Sequence, residues 1–355
     1  MQYIPTGAPL PGPVFDAALR RCYTALVSAN HHQVMSMQSQ TPRSPASEHV
    51  THEFARALSS DPARWRNAWR VRTGHHPSTI RFDRPTQTVP ISLTGGHCAL
   101  HCSHCGGHYL RHMRSIADPG VGGAKSLLIS GGCDRQGRVP VTSHLQEVAR
   151  LHERCRLNWH VGLIDEEAMC RIAPYVEMIS FDVVGDAQTA QEVYGLELTL
   201  DDYMRTLDML RRYAPVVPHL TLGLRAGRLS GERLALQALQ ARDLEALVLI
   251  VLIPTEGTAY AHCSPPALPE VTAFMLEARV ALPTTLLYLG CMRPQGAYRQ
   301  ALDELAVRAG LNGIVSPARA AVRAAAELGL EVTWGEECCA LGISRVRDRG
   351  AGSES

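Results

Sequence analysis

Three closely spaced cysteines are the residues of this chain best suited to chemistry. Cys98, Cys102 and Cys105 form the pattern C-x3-C-x2-C in the segment HCALHCSHCGGHYL. Thiolates bind both zinc and iron–sulfur clusters. Three of them in one loop can hold three irons of a [4Fe–4S] cluster and leave the fourth iron open to a small molecule. A structural zinc ion would instead take a nearby histidine as its fourth ligand. Zinc motifs usually have two separated pairs of ligands, so the compact triplet favours the cluster.

Four other cysteines fall where strands are predicted to end. The chain has eleven cysteines in all. Cys133 follows the run LLISGG, Cys291 follows LYLG, and the adjacent Cys338 and Cys339 follow VTWGEE. An adjacent pair is awkward as an intrachain disulfide. We hypothesise that some of these four thiols bind an auxiliary iron–sulfur cluster; the alternative is that they are separate buried or rim thiols.

The elements that must position these cysteines follow a regular pattern from residue 88 onward. Short apolar runs recur about every 32 residues, which is the size of one strand–helix unit. They are centred near Ile91, Leu128, His160, Phe181, Leu222, Ile250, Leu287 and Ile314. Helical patterns lie between them: HLQEVARLHERC, LTLDDYMRTLDMLRRY, GERLALQALQARDLEAL, PEVTAFMLEARVAL, YRQALDELAVRAG and PARAAVRAAAELG.

This alternation predicts an α/β fold with a parallel sheet. Eight strand–helix units favour a closed (β/α)8 TIM-type barrel. The alternative is an incomplete six-unit barrel whose last units fold separately. In such barrels the active site lies just after the C-terminal ends of the strands, which is where the cysteine triplet stands.

The pattern divides the chain into three segments. Residues 1–85 lack strand periodicity and contain two helical patterns, Val14–Ser28 and Glu53–Trp69, around a polar loop at Ser36–Ser47, so we predict a helical N-terminal extension. Residues 86–342 form the predicted barrel with its C-terminal cysteine-bearing segment. Residues 343–355 are polar and are predicted to be a flexible tail.

Composition excludes several classes of protein. The 355 residues carry a formal net charge of +1, which argues against a strongly basic nucleic-acid binder. No apolar run reaches the roughly 20 residues of a membrane span, and the N-terminus lacks a signal-peptide pattern. Many cysteines without a secretory signal are typical of metal or redox chemistry rather than disulfides. We therefore expect a cytoplasmic protein that binds neither nucleic acid nor membrane.

The triplet after the first predicted barrel strand resembles that of the radical S-adenosylmethionine (SAM) superfamily. In that family it holds a [4Fe–4S] cluster whose open iron is chelated by the amino and carboxylate groups of SAM. One departure is His104, where the family usually has an aromatic residue, although an imidazole can pack similarly. The stretch EVYGLELTLDDYMRTLDML is similar to the matching segment of biotin synthases. The resemblance covers roughly residues 88–340, and it is specific at the triplet and diffuse elsewhere.

The resemblance implies SAM-binding residues on the later strands. SGG at 130–132 stands where the family has a Gly-Gly-Glu type motif whose backbone binds the SAM amino group, and Cys133 takes the glutamate position. Asp182 would accept the ribose hydroxyls, unless it merely caps a helix at the barrel rim. Arg205 would pair with the SAM carboxylate, unless it is a surface arginine. The full implied set is Ser130, Gly131, Gly132, Asp182, Arg205, Gly223 and Arg225.

The resemblance also implies an activity. A radical SAM enzyme reductively cleaves SAM to a 5′-deoxyadenosyl radical, which abstracts hydrogen from the substrate. The motifs SGGCD, GCMRP and EECC look more like the divergent two-component lipoyl synthase group than ordinary biotin synthase. That likeness implies sulfur insertion into an octanoyl chain on a carrier-protein lysine. Its partners would be an electron donor such as ferredoxin or flavodoxin and a second radical SAM protein.

Two other functions remain open at the level of sequence. One is carbon-skeleton rearrangement or cofactor maturation on a small-molecule substrate, which would need no second cluster. The other is a zinc-stabilised barrel that binds a partner without catalysis. The sequence identifies no catalytic side chain beyond the predicted cofactor ligands.

Overall fold

Two helices precede the first strand, where the sequence predicted one. The computed structural model describes residues 45–343, with side chains from residue 47. Helix α1 spans Pro45–Ser59 and α2 spans Pro62–His75. The carboxylate of Asp61 accepts a hydrogen bond from the Ala63 amide (3.0 Å), and proline is favoured at the first helical position, so a new helix starts there. The single helix predicted over Glu53–Trp69 is therefore wrong. Val14–Ser28 lies outside the described residues, as does most of the predicted polar loop.

Eleven strands follow among the described residues, and all their pairings are parallel. They are β1 (Thr79–Asp83), β2 (Thr88–Ser92), β3 (Arg114–Ser115), β4 (Ser126–Ser130), β5 (Arg156–His160), β6 (Met178–Val183), β7 (Val216–Leu222), β8 (Ala246–Val251), β9 (Leu286–Leu289), β10 (Gly313–Val315) and β11 (Glu331–Gly335). Each of the eight predicted strand centres falls inside one of them.

The strands form one open sheet in the order β11-β1-β10-β9-β8-β7-β6-β5-β4-β2-β3. The α/β barrel prediction is therefore confirmed in its incomplete form, but the last strands continue the same sheet and do not fold separately. Residues after β11 bridge the gap to β2. Glu336 O accepts a hydrogen bond from the Gln87 amide (2.8 Å), and the Thr88 hydroxyl accepts one from the Cys338 amide (2.8 Å).

Strand β1 lies within the segment that was predicted to be a helical extension. It pairs with β10 on one side and with β11 on the other, so it is an integral strand of the barrel. Its five residues, TIRFD, include only two apolar side chains, Ile80 and Phe82, and both are fully buried. Because only these two apolar residues alternate with polar ones, the run is too short to stand out as a strand in the sequence.

Eight helices follow β1 among the described residues. They are α3 (Leu145–His152), α4 (Glu166–Ile172), α5 (Ala187–Tyr194), α6 (Leu200–Leu210), α7 (Glu232–Gln240), α8 (Leu268–Ala281), α9 (Gly296–Arg308) and α10 (Arg319–Glu327). Six of them coincide with the six predicted helical patterns, and α4 and α5 are additional. No helix in residues 45–343 is long and apolar enough to cross a membrane.

The sheet buries apolar side chains on both faces. Alternate strand residues such as Leu247, Leu249 and Leu287 pack outward against the helices in the main core. Their neighbours Val248 and Tyr288 point to the concave face and form a second core with the segment Cys339–Ile343. That segment thus fills the inside of the barrel, and from His49 onward the described residues form one compact unit.

Candidate active site at the mouth of the barrel

The cysteine triplet lies in a loop that leaves the C-terminal end of β2 and folds back on itself in tight turns. The amides of Cys105 and Gly106 both donate hydrogen bonds to Cys102 O (3.0 and 2.9 Å). Gly106 and Gly107 then adopt positive φ angles of 52° and 79°, a conformation that glycine adopts without steric cost. The loop therefore turns back on itself between Cys102 and Gly107, which brings the second and third cysteines of the triplet close together.

The triplet thiols are close enough to affect one another's charge. Burial raises the pKa of Cys102 to about 12, and the neighbouring Cys105, Cys98 and Cys133 add to the effect. At neutral pH Cys102 is therefore a protonated thiol, and it would lose its proton on binding a metal or an iron–sulfur cluster. Among residues 47–343, no three His, Cys, Asp or Glu side chains converge closely enough to hold a single metal ion. The three thiols are nonetheless a donor set that an iron–sulfur cluster accepts, because each thiol would bind a different iron.

The end of β4 forms the wall behind this loop. Its Gly132 amide donates to the Thr94 hydroxyl (2.7 Å), and Cys133 O accepts from the Ala99 amide (2.8 Å). A Cβ atom on Gly132 would lie 1.9 Å from His97 O and 2.7 Å from the Cys98 Cβ. The loop therefore packs directly on Gly132, and only glycine leaves room for Cys98 there.

Helix α5 holds the other side of the loop. The Ser103 amide donates to Val193 O (2.8 Å), and its hydroxyl donates to Glu192 O (2.9 Å). The buried ring of His104 packs edge-on against Tyr194, with ring centroids 5.8 Å apart. Burial lowers the His104 pKa to about 4, so the imidazole is neutral and can pack as an aromatic ring would.

Asp182, at the end of β6, stands between two histidines that the sequence analysis did not assign to the site. His160 Nδ1, from the end of β5, is 3.7 Å from the Asp182 carboxylate, and the ring of His219 on β7 lies 5.3 Å from that of His160. The barrel walls desolvate the carboxylate, but the imidazoles outweigh this effect and lower the pKa of Asp182. The carboxylate is 55% exposed and so is free to accept further hydrogen bonds.

The pKa values of the two histidines are shifted in opposite directions. Desolvation disfavours a charge on His160, yet Asp182 outweighs it and raises the His160 pKa. Burial lowers the pKa of His219 to about 4, helped by the charge of His160. Because His219 Nδ1 lies 3.0 Å from Val217 O, the neutral ring carries its proton there. The sequence carries one signal for this grouping. In NWH on β5, FD on β6 and PHL on β7, polar and apolar side chains alternate, which indicates that His160, Asp182 and His219 lie on one face of the sheet.

The remaining predicted SAM-binding residues are divided between this mouth and the surface. Gly223 has a positive φ of 70°, and its amide donates to the Glu232 carboxylate (2.8 Å). Arg225 forms an ion pair with Glu192 (2.7 Å), the residue whose carbonyl holds Ser103, so it lies near the cysteine loop. Arg205 is 72% exposed and pairs with Asp202 on its own helix, which is the arrangement of a surface arginine.

The four cysteines of the predicted auxiliary cluster occupy different places. Cys133 lies beside the triplet, and its pKa is raised to about 12, mainly by burial and then by Cys98. Cys338 lies inside the barrel, where Asn158 Nδ2 donates to its sulfur (3.5 Å). Burial raises the pKa of Cys291, at the end of β9, and Cys338 adds to this, so these two thiols are within electrostatic range. Cys339 is buried in the apolar core inside the barrel.

Comparison with known proteins supports the fold and leaves the substrate open. No protein-family profile and no curated protein sequence matches the chain. Its structure is similar to that of methylornithine synthase (PylB), with a TM-score of 0.55 and 14% identity over 81% of this chain and 94% of that one. It also aligns with the radical SAM methyltransferase TsrM from Kitasatospora setae, with a TM-score of 0.36 and 17% identity over 54% of this chain and 40% of that one. The chain therefore has the incomplete β/α barrel fold that methylornithine synthase also has.

Proposed function

We propose that the protein is a radical SAM enzyme. The observation that carries this proposal is the cysteine loop, which starts at the C-terminal end of a barrel strand and packs on Gly132, where the Cβ of any larger residue would collide with it. With a reduced [4Fe–4S] cluster bound, the site would supply one-electron cleavage of SAM to methionine and a 5′-deoxyadenosyl radical, which abstracts a substrate hydrogen. The barrel fold shared with methylornithine synthase supports the same assignment.

The side chains of the mouth have separate roles in this proposal. Cys98, Cys102 and Cys105 hold the cluster by three irons and leave the fourth for SAM. The backbone of SGG at 130–132 receives the SAM amino group, where a side chain on residue 132 would collide with the loop. Asp182 accepts the ribose hydroxyls, and His160 keeps that carboxylate ionised and oriented. The packed segment Cys339–Ile343 closes the barrel from inside and excludes water from that end.

Iron content and SAM cleavage test the proposal directly. We would reconstitute the protein with iron and sulfide without oxygen and compare it with a variant in which the three triplet cysteines are serine. About four irons that disappear with the triplet, together with formation of 5′-deoxyadenosine after dithionite reduction, are expected for one such cluster. A colourless protein that binds zinc and cleaves no SAM would refute the enzyme and leave the non-catalytic zinc barrel.

For the fate of the substrate radical we propose sulfur insertion into an acyl chain carried on a partner protein, such as an octanoyl-lysyl domain. The support is that Cys338 lies inside the barrel and that Cys291, at the end of β9, is within electrostatic range of it, so an auxiliary cluster between them would meet a substrate in the barrel. About eight irons per chain, falling to about four in Cys291→Ser or Cys338→Ser, are the expected result. Incubation with an octanoylated lipoyl-domain peptide, alone and with a second radical SAM protein, then tests for the thiolated product.

A rearrangement without sulfur transfer is the second candidate. It is favoured by the shared fold with methylornithine synthase and by the position of Cys339, which is buried in the apolar core inside the barrel. The same iron count separates the two candidates. About four irons in the wild type, unchanged in Cys291→Ser and Cys338→Ser, would refute sulfur insertion and leave a small polar substrate for the mouth lined by His160, Asp182 and His219.

A further inference from the structure

An arginine lies at the rim of the mouth where β9 and β10 end. Helix α9 starts between these two strands, and Arg299 is in its first turn. The half-buried guanidinium group of Arg299 donates to Gln295 Oε1 (2.8 Å) and to Ser316 O (2.8 Å). Ser316 directly follows the last residue of β10. Because the active sites of β/α barrels lie just beyond the C-terminal ends of the strands, this guanidinium group is placed to contact a substrate.

The backbone of Ser316 is turned toward this arginine. Its φ angle is 47°, in the left-handed region that residues other than glycine rarely adopt. Its amide donates to Asp83 O (2.6 Å), and its carbonyl oxygen accepts from Arg293 (3.3 Å) as well as from Arg299. The Ser316 hydroxyl has no hydrogen-bond partner within residues 47–343. A hydroxyl donor is therefore available beside the guanidinium group.

The positive charge of Arg299 is not compensated by the residues around it. The neighbouring Arg293 and Asp303 are both fully buried, and Arg293 contacts both oxygens of that carboxylate (2.6 and 2.8 Å), so their charges cancel. Arg299 forms no ion pair with a carboxylate in the part of the chain from 47 to 343, and its two acceptors are neutral oxygens. Burial and then the charge of Arg293 lower the Arg299 pKa. A bound anion would remove this imbalance.

Other arginines near the ends of the strands are already neutralised. Each of three pairs with a carboxylate: Arg138 with Asp165, Arg225 with Glu192, and Arg293 with Asp303. Arg299 differs from them although it borders the same mouth as the cysteine loop. The Cys291 thiol influences the pKa of both Arg299 and Tyr109, and Tyr109 is in turn influenced by Cys105 of the triplet. The uncompensated charge therefore lies within reach of a substrate bound at the mouth.

We propose that Arg299 and Ser316 bind an oxyanion, either a carboxylate or a phosphate, of a small substrate. This inference rests on the proposed radical SAM function, and it goes with the second candidate, because an octanoyl chain in amide linkage has no charge for Arg299 to bind. A guanidinium group can donate two parallel N–H bonds to either oxyanion. The Ser316 hydroxyl can donate one more. A substrate held by its charged end at β9 and β10 would extend its uncharged part toward the cysteine loop.

Binding of simple oxyanions tests this site without knowledge of the substrate. We would titrate the reconstituted protein with sodium acetate and, separately, with sodium phosphate, at an ionic strength kept constant with sodium chloride, and follow the thermal midpoint. Binding to the folded state should raise the midpoint of the wild type until the site is saturated. Arg299→Gln should weaken the fitted affinity about tenfold, and Arg299→Lys, which keeps the charge, should weaken it less. Arg323→Gln, an exposed change on α10, should leave the affinity unchanged.

The rise caused by the anion is the readout, so a variant that is merely less stable still reports on the site. A response to acetate alone supports a carboxylate substrate, and a response to phosphate alone supports a phosphorylated one. No response to either anion, or a response that is undiminished in Arg299→Gln, would overturn the site. SAM cleavage by the wild type under dithionite is measured independently. Cleavage without binding that depends on Arg299 overturns only this site, whereas such binding without any cleavage overturns the radical SAM assignment.

Discussion

Replacing Gly132 with alanine is the sharpest perturbation of the cysteine loop. The added Cβ would lie 1.9 Å from His97 O, whereas real contacts of this kind are not shorter than 3.0 Å, so the loop must retreat by about 1.1 Å. Both nearby obstacles are backbone or Cβ atoms, which cannot move away by changing a rotamer. Overpacking of this type costs about 1–3 kcal/mol. The same shift displaces Cys98, and we expect the variant to fold but to bind much less iron.

Gly96 provides a matched control in the same loop. No atom lies within 4 Å of the Cβ that alanine would add there, and Gly96 has no positive φ. We would measure iron per chain after reconstitution, 5′-deoxyadenosine formation and the thermal midpoint for Gly132→Ala, Gly96→Ala and the wild type. Full iron binding by a folded Gly132→Ala would show that the loop tolerates a side chain at this position, and the geometric argument for the cluster site would then be wrong.

Three further predictions concern ionisable side chains. Arg293 and Asp303 form a fully buried pair with two contacts, 2.6 and 2.8 Å, and Asp303→Asn should lower the free energy of unfolding by about 3–5 kcal/mol in urea titrations. Because the His219 pKa is lowered to about 4, the unfolded chain binds a proton that the folded chain does not, so this residue should reduce stability as pH falls from about 6.5 toward 4. Asp182→Asn should lower the pKa of His160, measured by NMR, because it removes the carboxylate that raises it.

Each of these has a control within the chain. Asp208→Asn breaks an exposed pair with Arg242 and should cost no more than about 1 kcal/mol, so equal losses would contradict the role of burial at Asp303. Between neutral and acidic pH, the free energy of unfolding should fall less for His219→Phe than for the wild type. Identical slopes of this free energy against pH would contradict the prediction. An unchanged His160 titration in Asp182→Asn would show that the 3.7 Å pair carries little electrostatic coupling.

The strands and helices of the barrel were predictable because burial on both faces imposes a strong pattern. Strand β8 reads ALVLIV, and its neighbours in the sheet are similarly apolar. Strand β1 was missed because it is short and has charged neighbours, although Ile80 and Phe82 are wholly buried. The break at Asp61–Pro62 was missed because the helical pattern continues across it.

The site was predictable where the chain itself brings residues together. The cysteine triplet needs only a local loop, and Gly131-Gly132 follows directly from a strand. His160 and His219 come from separate strands and meet Asp182 only through sheet register, in which Asp182 lies opposite His219. The four extra cysteines could not be placed in this way. All of them follow predicted strands in the sequence, but the fold puts them in different places: at the mouth, inside the barrel and in its apolar core.

The segment that fills the barrel from inside also sets an order of assembly. Cys339–Ile343 packs against residues of β6 to β10, all of which precede it in the chain. During synthesis, every barrel strand therefore leaves the ribosome before the residues that cover their concave apolar face. The cysteine triplet is synthesised more than two hundred residues before this segment, so it is present while the barrel interior is still open. A nascent chain stopped before residue 339 would therefore present an uncovered apolar surface to other proteins.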